Sequence, residues 1–229
     1  VCGGVEGMLS DPELYAMVGF DLLKTMSRRN DDPKHASRPF DRQRDGFVLS
    51  EGAGILVLER EDHDRARGAR PYARIASYAA SCDAASILQI DAEGREIERM
   101  IRTAVARAGL SLESIDYVNA HGTSTVLNDR VEAQVLQRVF DSSLDRLAVS
   151  ATKSMTGHAV AASGAIEAIL TALTLDRGII PPTINFHEPD PECRLQLVPN
   201  HAEIRAVQTA ITNSFGFGGH NACLVLTRV

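Results

Sequence analysis

The stretch IDYVNAHGTSTVLNDRVEAQVLQRVFDSSLDRLAVSATKSMTGHAVAASGAIEAILTALTL, residues 115–175, decides the fold. Its first five residues, Ile115 to Asn119, read as a short strand. Residues 129–140 carry apolar side chains at helical spacing, residues 147–150 read as a second strand, and residues 156–175 as a long helix of small residues. Gly178 ends that helix, and the Pro181-Pro182 step forbids its continuation. Strand, helix, strand, helix in sequence is the signature of an α/β layered fold.

Outward from this core the same alternation continues. Residues 208–213 and 222–227 read as two strands joined by Phe215-Gly216-Phe217-Gly218-Gly219, a short glycine-rich turn that implies antiparallel pairing. Upstream, residues 93–108 place Ile97, Met100, Ile101, Ala104 and Val105 on one helix face, and Gly109 ends the helix. Residues 72–82 read as a strand after Pro71, residues 61–67 as a charged helical turn, and residues 54–59 as a buried strand. Residues 27–46, with Pro33 and Pro39, read as loop. Residues 11–26 read as a helix with Asp11 as N-cap and Pro12 in its first turn. No repeat or low-complexity linker interrupts the 229 residues, so one domain over 1–229 is expected. The chain opens on Val1-Cys2-Gly3-Gly4, which reads as a strand end, and further sequence upstream is expected.

Hydrophobic residues are 44% and charged residues 24% of the chain, the balance of an ordinary globular protein. The net charge of -6 weighs against a nucleic-acid grip built on a positive field. The four cysteines, Cys2, Cys82, Cys193 and Cys223, contain no C-x-x-C pair, so neither a metal site nor a redox pair is expected. The most apolar helix, 159–175, has His158 at its start and Glu167 inside it and is too polar to span a membrane. With no signal-peptide pattern at the start, a cytoplasmic protein is expected.

Three loops at strand ends collect chemistry. Asn119-Ala120-His121-Gly122-Thr123-Ser124-Thr125 delivers a histidine and three hydroxyls where α/β folds place ligands. Lys153-Ser154-Met155-Thr156-Gly157-His158 leads into the small-residue helix, whose N-terminal dipole favours neutral histidine and a developing anion. Glu167, flanked by Ala165, Ile166, Ile169 and Leu170, reaches Lys153 only if both are buried. Asn213 to Asn221 holds the glycine-rich turn, whose backbone N–H groups can approach a ligand closely. These glycines leave a phosphate cradle open as a reading, but the order is wrong for a nucleotide fingerprint, since a strand and not a helix follows. No G-x-S-x-G elbow, H-E-x-x-H pair or P-loop is present. Two imidazole donors and an N–H hole suit chemistry that generates an enolate beside a thioester.

These motifs, with Pro39-Phe40-Asp41-Arg42, Asp45-Gly46-Phe47-Val48, Glu51-Gly52-Ala53-Gly54 and Pro181-Pro182-Thr183-Ile184-Asn185, occur in an order that resembles the C-terminal half of a β-ketoacyl-acyl-carrier-protein synthase, of the elongating fatty-acid and type II polyketide kind. The resemblance covers essentially the whole chain. It implies a thiolase-like α/β/α/β/α layered fold, of which this chain supplies the C-terminal half, usually in a homodimer, heterodimer or heterotetramer. It implies a decarboxylative Claisen condensation of an acyl thioester with malonyl-carrier protein. Substrates ride on the phosphopantetheine of acyl-carrier protein, with no bound cofactor or metal. By motif match His121 and His158 stabilise the enolate, and Lys153 paired with Glu167 supports them. The Phe217 N–H forms half of an oxyanion hole. Its ring, with Phe215 and Gly218, lies at the acyl pocket, and Thr123 and Thr125 contact the pantetheine arm.

Two features depart from the resemblance. None of the four cysteines matches the family's nucleophile, so this half needs an N-terminal portion that supplies one and is expected to be inactive alone. The segment Asp83 to Ile90 carries Leu88 and Ile90 where elongating enzymes show a polar Thr-x-Pro type, which opens an alternative: an acyltransferase or an unusual condensing enzyme. A non-catalytic partner of the chain-length-factor kind is the other alternative, opposed by the retained His121, His158 and Lys153. A half-core is expected to leave apolar faces of residues 54–59, 115–119 and 211–223 uncovered.

Overall fold

The computed structural model describes residues 1–9 and 14–229. Its centre is a five-stranded sheet built from β3 (Arg74–Cys82), β4 (Tyr117–Asn119), β5 (Ala148–Ser150), β8 (Thr209–Gly216) and β9 (His220–Thr227). The strand order is β3-β9-β8-β4-β5. β4 pairs parallel with both β5 and β8, while β8–β9 and β9–β3 are antiparallel. The antiparallel pairing of the last two strands is as the glycine-rich turn implied. β4 is an interior strand between β8 and β5, and Tyr117, Val118 and Asn119 are buried.

Helices cover both faces. α3 (Arg95–Arg107) and α4 (Val126–Phe140) pack on one side, where Ile97, Met100, Ile101, Val135 and Leu136 meet Val118, Val149, Ile211 and Val225. α6 (Val160–Arg177) lies on the other, near a second cluster of Tyr117, Leu175, Ile180, Ala210 and Leu226. Beyond α6 runs a two-stranded antiparallel ribbon of β1 (Cys2–Glu6) and β2 (Gly52–Leu56). The layers are therefore helices, sheet, helix and ribbon. The small residues of α6 allow this double burial: a Cβ on Gly54 would lie 2.9 Å from the backbone of Ala165 and Ile166. α2 (Glu61–Ala66), a short strand pair of β6 (Ile179–Ile180) and β7 (Glu203–Ile204), and α1 (Tyr15–Leu22) complete the regular elements.

Four expectations need correction or limits. The N-cap at Asp11 and Pro12 lie outside the described residues, and α1 runs only over Tyr15–Leu22. The long helix starts at Val160 rather than at 156: Lys153–Thr156 form a separate turn, α5, and Gly157 at φ 69 breaks the path. The helix ends at Arg177, capped by Gly178 at φ 66 as the glycine required. Finally, residues 115–119 and 211–213 are not open faces, because the chain's own helices cover the sheet. Uncovered as expected are the ribbon and the residue after it, with Val5 71%, Ile55 60% and Val57 70% exposed, and the turn within 211–223, where Phe217 is 45% exposed. β2 is thus not a buried strand.

Candidate active site

β4 ends at Asn119, whose side chain donates to the Glu167 carbonyl at 3.3 Å and the Thr171 hydroxyl at 3.2 Å on α6. The chain then turns through His121 and Gly122 into α4. Both backbone N–H groups of this turn donate to one carboxylate, Glu132, at 2.9 Å each. Gly122 has φ +38, and a Cβ there would lie 2.4 Å from the Ala151 side chain, so only glycine fits. One turn earlier on α4, Asp129 accepts the N–H groups of Phe40 at 2.9 Å and Ser124 at 3.2 Å. Two buried carboxylates thus hold the histidine loop by its backbone. The sequence reading passed over both. The available signal was an acidic pair spaced i, i+3 on an otherwise apolar helix face.

His158 is fixed differently. Its N–H donates to the Val48 carbonyl at 2.7 Å, and its carbonyl accepts from Ser50 N–H at 3.1 Å, as in a short parallel bridge. The rings of His121 and His158 meet edge to face with centroids 5.6 Å apart. Phe215 lies 5.2 Å from His121 and Phe47 5.3 Å from His158.

Behind His121 lies Lys153, 1% exposed. Its ammonium donates to the His121 carbonyl at 2.7 Å, to Glu167 Oε1, and to His121 Nδ1 at 3.3 Å. Three donors meet three acceptors. An ammonium cannot accept, so His121 Nδ1 must, which places the His121 proton on Nε2. Ser163 Oγ, 3.0 Å from His158 Nδ1, can do the same for His158. The pairing of Lys153 with Glu167 required burial of both, and both are buried.

Burial sets the protonation states. His121 is held well below its ordinary pKa by burial first, then by Lys153 and His158. His158 is pushed down to about 3 by burial and by Lys153. Both rings are therefore neutral at pH 7. Burial raises Glu167 to about 6 although Lys153 opposes it. Burial raises Glu132 to about 7 against the pull of the Gly122 and His121 N–H groups.

The two rings open onto a cavity of about 710 Å³ lined also by Thr123, Thr125, Phe215 and Phe217. Thr123 and Thr125 hydroxyls are 2.9 Å apart. Leu88 and Ile90 are in the same wall. Gly218 is not in the lining, and its N–H is given to the Ile87 carbonyl at 2.8 Å. Lys153 and Glu167 do not line the cavity; Lys153 reaches it by its contacts with His121, and Glu167 by its contact with Lys153. No cysteine among the described residues lines it. Cys193 and Cys223 are buried with thiols pushed up to about 12 by burial. Cys2 and Cys82 are exposed, the latter with Sγ 3.5 Å from the Gly218 carbonyl. Among the described residues no cluster that could hold a metal is found, and no helix is long and apolar enough to cross a membrane.

Comparison with known proteins places this geometry. Residues 72–187 match the family described as beta-ketoacyl synthase, C-terminal domain, and residues 1–64 match beta-ketoacyl synthase, N-terminal domain. A 3-oxoacyl-[acyl-carrier-protein] synthase 2 of Synechocystis is 46% identical over 100% of this chain and 54% of its own length. One of Rhizobium meliloti is 44% identical over 100% of this chain and 53% of its own length. The chain thus spans about half the length of these curated relatives. A beta-ketoacyl synthase structure from Burkholderia phymatum superposes with TM-score 0.92 at 40% identity, covering 100% of this chain and 54% of that one. A type II polyketide acyl-carrier protein in complex with its ketosynthase, bound to the hexaketide, superposes with TM-score 0.94 at 36% identity, covering 98% of this chain and 55% of that one. The layered α/β architecture is the thiolase-like fold of these ketosynthases. The chain belongs to the β-ketoacyl synthase family.

Proposed function

We propose that residues 1–229 form the C-terminal half of a β-ketoacyl-acyl-carrier-protein synthase and carry its decarboxylation machinery. The observation that supports this most is the pair of neutral imidazoles, 5.6 Å apart, with Lys153 fixing the proton of one on Nε2. Two N–H donors can converge on the thioester oxygen of a malonyl group. Loss of CO2 leaves an electron pair on the α-carbon, delocalised onto that oxygen as an enolate. Fixed donors stabilise that charge without reorganising. The enolate carbon then attacks the carbonyl of an acyl-cysteine, the thiolate leaves, and a β-ketoacyl thioester results. The Phe217 N–H acts on the oxyanion of that second step. Its half-exposed ring, with Phe215 beside His121, forms the acyl side, and Thr123 and Thr125 take the pantetheine arm. Substrates arrive on acyl-carrier protein, and the assembly is at least dimeric.

The acylated cysteine comes from a portion outside these residues. Two of this chain's thiols are too basic to form a thiolate at neutral pH, and none borders the cavity. Leu88 and Ile90 in the wall favour a second reading, a condensing enzyme with altered substrate handling. The test is CO2 release from malonyl-carrier protein by the assembled enzyme. Release that His158→Ala abolishes supports the condensing reading; acyl transfer without CO2 release would leave only a transferase.

A further inference from the structure

Val160, the first residue of α6, has φ +31. It is the single β-branched residue with positive φ among the described residues. Branching at Cβ makes this region costly, and glycine would occupy it freely. The strain has a visible source on both sides. Two residues earlier, His158 is pinned by Val48 and Ser50. On the other side, a Cβ on Gly4 would lie 2.4 Å from the Ala161 carbonyl, so β1 rests directly on the residue that follows Val160. Val160 absorbs the turn between two anchored neighbours.

A position that strained, filled by valine instead of glycine, points to a use for the side chain. Val160 lines the cavity together with Ala161, Ser163 and Gly164 of the same helix. It is the one branched side chain in a wall of small residues. Phe47, also in the lining, packs on His158, and Phe20 packs on Phe47 at 5.5 Å, so the cavity beside His158 has apolar walls.

We infer that Val160 is a specificity-determining residue: its branched side chain, held in the cavity by a strained backbone, narrows the space beside His158 and selects straight acyl chains over chains branched near the carbonyl. This rests on the ketosynthase reading for the identity of the acyl group, but its test does not need turnover. Octanoyl-pantetheine amide and its 3-methyl analogue, which cannot acylate a cysteine, are titrated calorimetrically into the assembled enzyme. The native enzyme is expected to favour the straight chain by about tenfold or more, the range a single methylene carries in an apolar site. Val160→Gly is expected to reduce the preference to about twofold. Val160→Ile is expected to widen it. Should Val160→Gly fail to assemble, Val160→Ala keeps a Cβ and removes the branch, and is expected to narrow the ratio likewise. An unchanged ratio in a folded Val160→Gly or Val160→Ala enzyme, or no preference in the native one, overturns the inference. CO2 release from malonyl-carrier protein by the same native preparation is read separately. Release with an unchanged ratio refutes the role of Val160 alone; an altered ratio without release refutes the ketosynthase reading and leaves the role of Val160 standing.

Discussion

Replacing Lys153 by methionine removes the positive charge and keeps the unbranched aliphatic stem, one atom shorter. The three hydrogen bonds of its ammonium are lost, and Glu167 remains 2% exposed with no cationic partner. Its Oε2 already lacks a hydrogen-bond partner among the described residues. Removing one member of a buried pair costs about 3–5 kcal/mol, because the other charge is stranded. Glu167, already raised to about 6, takes up a proton instead, so part of that cost is relieved as pH falls. The double variant Lys153→Met/Glu167→Leu strands nothing. Its destabilisation is therefore expected to be smaller than that of Lys153→Met alone by about 2 kcal/mol or more. Urea unfolding of the assembled enzyme at pH 7.5 measures all three variants. Activity is expected to stay lost in the double variant, since His121 no longer has its Nδ1 donor. Additive stability losses in the double variant would refute the coupling, and full activity in Lys153→Met would refute the role in fixing the tautomer.

Further outcomes follow from the same geometry. Glu132→Gln keeps the shape but offers one acceptor where two N–H groups need one each. It is expected to cost about 1–3 kcal/mol and to speed hydrogen exchange at the His121 and Gly122 amides; unchanged exchange there would count against the clamp. His158 has its folded pKa depressed from 6.5 to about 3, so its contribution to stability is full above pH 6.5 and declines as pH falls toward 3. His158→Gln removes that dependence, and its stability relative to the parent is expected to improve by at most about 2 kcal/mol between pH 7 and pH 5. A parallel pH profile for the two proteins contradicts the neutral histidine. With Val5, Ile55 and Val57 open, this chain expressed alone is expected to self-associate in sedimentation velocity; a clean monomer would refute that.

The strand–helix alternation over residues 115–175 was legible because each element there buries a face that its own periodicity displays. The antiparallel β8–β9 pair was legible from its turn. What periodicity could not show is contact set by distant chain. The break at Gly157 is made by residues 48–50, more than a hundred positions upstream, so the helix start was misplaced. Exposure of β2 depends on what lies beyond the ribbon, and an apolar run looks the same covered or open. His121, His158, Lys153 and Glu167 were found as side chains in motifs. Glu132 and Asp129 were not: their i, i+3 spacing on an apolar helix face marks them as buried, but the backbone N–H groups that they hold lie in turns outside that helix and carry no sequence motif. Val160 was missed because strain is a property of φ and not of residue type.

The central claim is that this chain supplies the histidines and lysine while the acyl group is carried on a cysteine elsewhere. The most direct measurement is localisation of the acyl adduct. The natively purified assembly is incubated with an acyl thioester, denatured, and its polypeptides and peptides weighed by mass spectrometry. The expected result is one acyl group on a cysteine outside residues 1–229, with Cys2, Cys82, Cys193 and Cys223 unmodified. An adduct on any of those four that turns over when malonyl-carrier protein is added would contradict the account.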